Sequence, residues 1–411
     1  MHSKRLWRLI GGVILAEIFS MAGFSTFAVT LVDFTRIWQI DPTQAGWISG
    51  AYFVGYVAAV PLLVGLTDRF DARRIYYGAS LLGIGGGVGF AWLADGQAGA
   101  MLFRALAGAS LAGTYMPGLR ILTERLGGPA RLRVVAYYTA SFGIGVSLSF
   151  LSSGWLTQLL GWQAAFAISG LCSAAAIGLV ALATAGIPAV SDPAPAGPRR
   201  HPLDLRPAFR NREALAYILA YCGHCWELFA LRAWLPAYLV FAWQQSHSAP
   251  AGTAAAQWST MIVLIGVPAS IIGAEVSSQR GRVRMIRAIA LASCVAGLLA
   301  GLSGNLSFGA VVAALFIYNF LVTADSGALT TGALAAARPG EQGATLAVHS
   351  ILGFLGGGVG PVIVGWGLHM GGGITQGKAW LAAFVLMIAG SALATLAISH
   401  RPGFGRKKAA P

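Results

Sequence analysis

Charged residues are scarce in this chain of 411 residues, where they make up 10% of the sequence. A soluble domain carries about 25% charged residues. Hydrophobic residues account for 56% of the chain. This composition excludes a soluble enzyme of two or three globular domains and predicts a polytopic membrane protein. The 55 glycines suit close packing of membrane helices through small residues.

Cysteine is also rare, with four residues that all lie in apolar segments, so a secreted disulfide framework is excluded. Residues 222–225 read Cys-Gly-His-Cys, the motif of protein disulfide isomerases. That motif works at a helix N-terminus in a thioredoxin-like domain, whereas here it lies inside an apolar run, so we reject an oxidoreductase. A soft-metal site of Cys222, Cys225, His224 and Glu227 stays open as an alternative, although we expect no metal.

Enzyme motifs are missing as well. The chain shows no nucleophile–base set and no phosphate loop outside its apolar segments, so we expect no enzymatic activity and no cofactor. The net charge of +14 would suggest a nucleic-acid partner in a soluble protein. The position of the charges matters more than their sum, and we expect no nucleic-acid partner here.

Long apolar runs are what the chain does have, and such runs cross a bilayer core of about 30 Å as helices. We count twelve, at about 7–33, 44–65, 74–94, 98–122, 133–158, 162–186, 213–243, 256–278, 285–303, 307–337, 342–368 and 378–400. Several are joined by only a few residues, which predicts tight hairpins. The predicted fold is an all-α membrane protein with twelve transmembrane helices.

The basic residues predict the orientation. Alternate connections, together with both termini, hold 23 of the 28 Lys and Arg residues, and the opposite loops hold only Arg36 and Lys378. Positive charge accumulates on the cytoplasmic side of membrane proteins. We therefore expect a multi-pass protein of the bacterial inner (plasma) membrane with both termini in the cytoplasm.

The longest connection divides the chain into two halves. It is rich in proline and arginine, which predicts a solvated cytoplasmic linker at 188–212. We expect an N-terminal six-helix bundle at 1–187 and a C-terminal six-helix bundle with a short basic tail at 213–411. Two such halves in parallel repeat are typical of one large class of secondary transporters.

Few ionisable side chains lie deep in the apolar segments, where charge is expensive and usually faces a cavity or a partner. The candidates for substrate binding or ion coupling are Glu17 in segment 1, Arg104 in segment 4, His224, Glu227 and Arg232 in segment 7, and Asp325 in segment 10. Segments 1, 4, 7 and 10 occupy every third place. A chain of three-helix units would give this pattern if one helix per unit lined a common cavity. His349 in segment 11 lies outside the pattern.

The loop after segment 2, residues 65–74, reads Gly-Leu-Thr-Asp-Arg-Phe-Asp-Ala-Arg-Arg. It resembles the signature loop between helices 2 and 3 of the major facilitator superfamily, with the leading glycine displaced and the second glycine replaced by Asp71. Residues 278–284 resemble a degenerate copy. The resemblance implies the major facilitator fold and a cytoplasmic gate formed by Asp68, Arg69 and Arg73. Simple positive-inside anchoring is the alternative for Arg73.

These observations predict a monomeric secondary active transporter in contact with membrane lipid, working by alternating access. The guanidinium groups of Arg104 and Arg232 suit an anionic small molecule. Proton coupling through Glu227 and His224 is the expected energy source. Alternatively, Arg104 with Glu17, or Arg232 with Asp325, form ion pairs that only hold helices together.

Other functions stay open at this stage. One is proton-coupled efflux of cationic or amphipathic compounds, with Glu17 and Glu227 facing the ligand. Another is a membrane sensor that moves no solute, which the lack of an appended soluble domain disfavours.

Overall fold

The computed structural model describes residues 3–67, 69–126, 128–188, 205–246, 251–339 and 341–400. Within them the chain forms sixteen α-helices and one short 3₁₀ turn, with no β-strand. The predicted all-α fold is thereby confirmed. The predicted gate residue Asp68, most of the predicted linker and the C-terminal tail lie outside the described residues.

The N-terminal bundle contains seven helices, because the first predicted segment is divided in two. They are α1 (Ser3–Ser20), α2 (Thr26–Ile37), α3 (Pro42–Leu66), α4 (Ala72–Leu93), α5 (Gln97–Thr123), α6 (Gly128–Leu160) and α7 (Trp162–Thr184). Helices α1 and α2 are separated by turns at residues 21–25.

The C-terminal bundle contains a short helix and two more divided segments. Its helices are α8 (Arg206–Arg210), α9 (Arg212–Ser246), α10 (Ala254–Leu264), α11 (Gly266–Arg280), α12 (Arg282–Leu302), α13 (Phe308–Ala324), α14 (Ser326–Ala336), α15 (Gln342–Met370) and α16 (Gly377–Ser399). Helix α8 falls inside the predicted linker, and Ala208 on it is fully buried against this bundle. The described end of the linker is therefore packed rather than solvated.

Each of the twelve predicted segments coincides with one helix or with a divided pair. In the described part of the chain, nine helical spans are long and apolar enough to cross a membrane. Segments 1, 3 and 4 correspond to α1 with α2, α4 and α5, which are not among these nine spans. The full count of twelve crossings and the cytoplasmic location of the termini stay predictions.

The divided helices are held by polar side chains from neighbouring helices. A break within the membrane frees backbone carbonyls, which must find donors inside the protein. Asn319 on α13 donates to the carbonyl of Ile262, just before the break between α10 and α11. The sequence pattern predicted continuous segments because apolarity does not report such breaks.

The two bundles meet most closely through α3 and α15. Glycines allow this approach: a Cβ placed on Gly50 would lie 2.6 Å from the carbonyl oxygen of Gly358. Gly46 faces Pro361 in the same way, and Gly154 on α6 faces Ala256 on α10. These contacts lie toward the end of the molecule that carries the loops predicted to be external. The bundles are thus closed at that end.

Candidate functional site

Arg104 on α5 is used inside the N-terminal bundle. Its two terminal nitrogens donate to the carbonyls of Gly23 and Phe24, at 3.2 and 3.3 Å. These carbonyls lie at the break between α1 and α2, and Arg104 supplies them with hydrogen-bond donors. Its guanidinium carbon lies 4.4 Å above the Tyr52 ring. The side chain has no carboxylate partner among the described residues, so the alternative ion pair with Glu17 is not formed.

Glu17 on α1 is fully buried in the same bundle. The Tyr138 hydroxyl on α6 donates to its Oε2 at 2.9 Å, while its Oε1 has no hydrogen-bond partner within the described chain. The neighbouring Tyr76 hydroxyl lies 2.9 Å from the Ser20 hydroxyl. The carboxyl group therefore sits among tyrosines of its own bundle.

Glu227 on α9 is fully buried in the C-terminal bundle. Its Oε1 accepts a hydrogen bond of 3.0 Å from Ser293 on α12, and its Oε2 accepts one from Ser391 on α16. The residue therefore points into its own bundle, away from the other half. Neither serine could be identified from the sequence, since single hydroxyls in apolar helices are common.

His224 and Asp325 are the two predicted residues that the structure brings into direct contact. Nδ1 of His224 lies 2.7 Å from Oδ1 of Asp325, and both side chains are almost fully buried. Asp325 lies at the junction of α13 and α14. Among the six predicted ionisable side chains, no other two form an ion pair in the described structure.

Tyr221 extends this pair toward α15. Its ring stacks on His349 with centroids 3.8 Å apart and lies 5.5 Å from the His224 ring. Nε2 of His349 is 3.2 Å from the Thr330 hydroxyl. His349 lies on α15, which is segment 11, so the pattern of every third segment did not include it. The contact between α9 and α15 became visible only in the structure.

Arg232 on α9 lies beside the surface where the bundles meet. Its side chain is 7% exposed, and its guanidinium carbon is 5.6 Å from the Phe229 ring. Phe229 contacts Phe53 of the other bundle, with centroids 4.6 Å apart. In the described residues Arg232 has no carboxylate partner. Asp325, with which an ion pair was considered as an alternative, contacts His224 instead. Phe24 and Phe354 complete an aromatic cluster that sequence reasoning missed.

The two cysteines of the 222–225 motif pack against glycines of α15. A Cβ on Gly356 would lie 3.0 Å from Sγ of Cys222, and one on Gly353 would lie 3.3 Å from Sγ of Cys225. Glu227 faces Ser293 and Ser391 instead. In the described ranges no group of three or more His, Cys, Asp or Glu residues could hold a metal ion.

The predicted gate loop is described except for Asp68. Asp71 forms the N-cap of α4: its carboxylate accepts from the backbone nitrogen of Arg73 at 2.9 Å and from the Arg73 side chain at 2.6 Å. Arg73 also donates to the carbonyl of Ile187 at 3.1 Å. Arg69 is exposed. Arg73 thus ties α4 to the end of α7 within one bundle, and the gating roles stay a prediction.

The fold can be placed among known proteins. The family model described as Major Facilitator Superfamily matches residues 13–361, and the chain belongs to this family. A bacterial homolog of the human lysosomal transporter Spinster, solved inward-facing and unoccupied, superposes with a TM-score of 0.76 at 15% identity, over 97% of this chain and 96% of that one. A point mutant of the nucleoside transporter NupG gives a TM-score of 0.71 at 14% identity, over 95% and 98%.

Sequence relatives match over a shorter length. The chain is 25% identical to the niacin transporter NiaP of Acinetobacter baylyi over 170 residues, which cover 41% of this chain and 38% of that protein. It is 30% identical to the putative uncharacterized transporter YgaY of Escherichia coli K12 over 153 residues, 36% and 37% of the two chains. The matches thus span less than two-fifths of these relatives.

Proposed function

We propose that this protein is a secondary active transporter that moves a small anionic organic solute by proton-coupled alternating access. In this proposal the halves 1–187 and 213–411 rock against each other, joined by the linker 188–212, in a bacterial inner membrane with both termini in the cytoplasm. Arg232 binds the anionic group of the solute. His224 and Asp325 carry the coupling proton.

The environment of Arg232 carries the proposal. A buried charge without a partner is strongly destabilising, so it marks a place where a counter-charge arrives during function. The guanidinium fork matches a carboxylate in two parallel hydrogen bonds. Its neighbour Phe229 touches the opposite bundle, so relative motion of the bundles would expose this region. The adjoining phenyl rings suit an aromatic solute.

Relatives add support for this solute class. Two of them, from Acinetobacter baylyi and Bacillus subtilis, are named as niacin transporters, the second as a putative niacin/nicotinamide transporter. Niacin is an aromatic carboxylate, which fits a guanidinium beside phenyl rings. We therefore take nicotinate as the first test solute.

Export of cationic compounds is less well supported. It requires Glu17 and Glu227 to face the ligand, and both carboxyl groups instead accept hydrogen bonds inside their own bundles. The soft-metal alternative is weakened by the packing of Cys222 and Cys225 on α15.

The test is uptake of labelled nicotinate into proteoliposomes, with benzoate as a second aromatic carboxylate. Replacing Arg232→Ala should lower uptake at least about tenfold, the effect of losing a buried charge-assisted contact. The matched control Glu227→Gln should keep most of the uptake, because glutamine still accepts from Ser293. Uptake that survives Arg232→Ala but is lost in Glu227→Gln contradicts the anion proposal. Binding without any flux in the unmodified protein contradicts transport itself.

A further inference from the structure

A small cavity lies inside the N-terminal bundle. It has a volume of about 30 Å³ and lies among α1, α3, α4, α5 and α7. Sites for organic ligands usually measure about 300–1,000 Å³, whereas a space of this size holds one or two water molecules or one monatomic ion. Arg104 lines it, so in this conformation the cavity next to Arg104 is too small for an organic solute.

Two serine hydroxyls converge in this cavity. A Cβ placed on Gly83 would lie 2.6 Å from Oγ of Ser110 and also 2.6 Å from Oγ of Ser173. Both serines are 6% exposed and line the cavity. Across the described ranges neither hydroxyl makes a hydrogen bond to another protein group. They are therefore available as donors to a small acceptor.

Arg104 contributes a positive charge to the lining of the same cavity. Its contacts are two neutral carbonyls and the face of the Tyr52 ring, and its Nε has no acceptor in the described structure. These groups offset the charge only in part, and a full positive charge buried in a membrane bundle favours a counter-ion. A guanidinium with two hydroxyl donors around a space for one atom is the chemistry of an anion site.

We propose that this cavity binds a single halide ion, chloride under physiological conditions, between Arg104 and the hydroxyls of Ser110 and Ser173. The ion completes the packing around the break between α1 and α2, whose carbonyls Arg104 caps. Chloride thereby stabilises the N-terminal bundle. Arg232, the proposed solute-binding residue, does not line this cavity.

Thermal unfolding of the purified full-length protein tests the proposal, with sodium chloride, sodium bromide and sodium gluconate compared at equal ionic strength. A ligand that binds only the folded state raises the unfolding temperature by mass action, here by an expected few degrees at saturation. Chloride and bromide should give a saturable rise, whereas gluconate should give none because it does not fit the cavity.

Variants separate the site from a general salt effect. The double variant Ser110→Ala with Ser173→Ala removes both donors and leaves Arg104 on its carbonyls, so its unfolding temperature should no longer respond to halide. The variant Gly83→Ala fills the cavity, and its unfolding temperature should also no longer respond to halide. Ser259→Ala is the matched control, since Ser259 is also buried, lies in the other bundle and donates to the Ala255 carbonyl.

Crystals grown in bromide give a direct readout through anomalous scattering. A peak in the cavity beside Arg104 supports the proposal, and its absence at saturating bromide overturns it. Equal unfolding temperatures in chloride and gluconate, or a halide response retained in the double serine variant, also overturn it.

Discussion

His224 and Asp325 come from distant parts of the chain and meet inside the C-terminal bundle, with Nδ1 and Oδ1 2.7 Å apart. Their side chains are 1% and 4% exposed. Replacing one partner would leave the polar side chain of the other buried without its counterpart, and an unmatched polar group inside a protein is costly. The contact joins α9 to the junction of α13 and α14.

The first prediction concerns this pair. Replacing Asp325→Asn keeps the shape of the side chain but removes the proton-accepting group. We expect nicotinate accumulation driven by a pH gradient to fall at least about tenfold, while exchange of external for internal solute without a gradient is retained. Both are measured in proteoliposomes.

Glu275→Gln is the control for this experiment, because Glu275 is an exposed carboxylate on α11 that bonds to Gln279. It should accumulate solute normally. Gradient-driven accumulation that is unchanged in Asp325→Asn would exclude the pair from proton coupling.

The second prediction concerns closure between the bundles at Gly46. A Cβ at this position would lie 2.7 Å from the carbonyl oxygen of Pro361 and 2.9 Å from Cα of Val362, and no real Cβ approaches backbone so closely. Gly46→Ala should therefore force α3 away from α15 and favour the state that is open at this end. Transport should slow several-fold, since both states must form in each cycle.

Spin labels at the outer ends of α3 and α15 measure this opening in a cysteine-free protein. The distance distribution should shift to longer values in Gly46→Ala. Gly85→Ala serves as the matched control, because a Cβ on that helical glycine meets nothing within 4 Å. Identical distances in the unmodified protein, Gly46→Ala and Gly85→Ala would show that the contact between Gly46 and Pro361 does not control closure.

The third prediction is a pH dependence at Asp71, at the predicted cytoplasmic end of α4. Partial burial alone would raise the pKa of this carboxyl, but the hydrogen bonds and charge of Arg73 outweigh burial and hold its pKa below the ordinary value of 3.8. A group whose pKa is lower in the folded protein stabilises it above the unfolded pKa. That contribution is lost as the pH falls through the folded pKa.

Asp71→Asn should accordingly lower the unfolding temperature near neutral pH, by more than Asp95→Asn in an exposed loop. The difference between Asp71→Asn and the unmodified protein should shrink as the pH falls below roughly 4. A difference that stays constant as the pH is lowered further below that value would mean that the carboxylate charge contributes nothing. Equal unfolding temperatures of Asp71→Asn and the unmodified protein near neutral pH would mean that asparagine caps α4 equally well.

Asp71 also shows how far the family resemblance reached. The sequence revealed a departure from the signature loop, an aspartate in place of a glycine, and could not say what the departure does. The structure shows the aspartate capping α4 and binding Arg73. Residue types and their spacing identified the family, but the role of one changed residue depends on the local backbone.

Arg104 and Glu227 show the limit for the candidate site. Their depth in apolar segments could be read from the sequence, because each run of hydrophobic residues defines its own helix. The hydrogen-bond partners of these two side chains could not be read from the sequence. Arg104 bonds to the carbonyls of a helix break that apolarity does not reveal, and Glu227 accepts from serines on α12 and α16.

The sequence by itself determined the class of protein, the helical segments, the family, and which costly side chains lie in the membrane. These follow from local composition, since a helix in lipid needs about 20 consecutive apolar residues. Only the tertiary structure decided that His224 meets Asp325, that Arg232 has no carboxylate partner in the described part of the chain, and that Arg104 lines a small cavity. The reason is physical: the direction of a side chain is fixed by its helix, but what it meets is fixed by how distant helices pack.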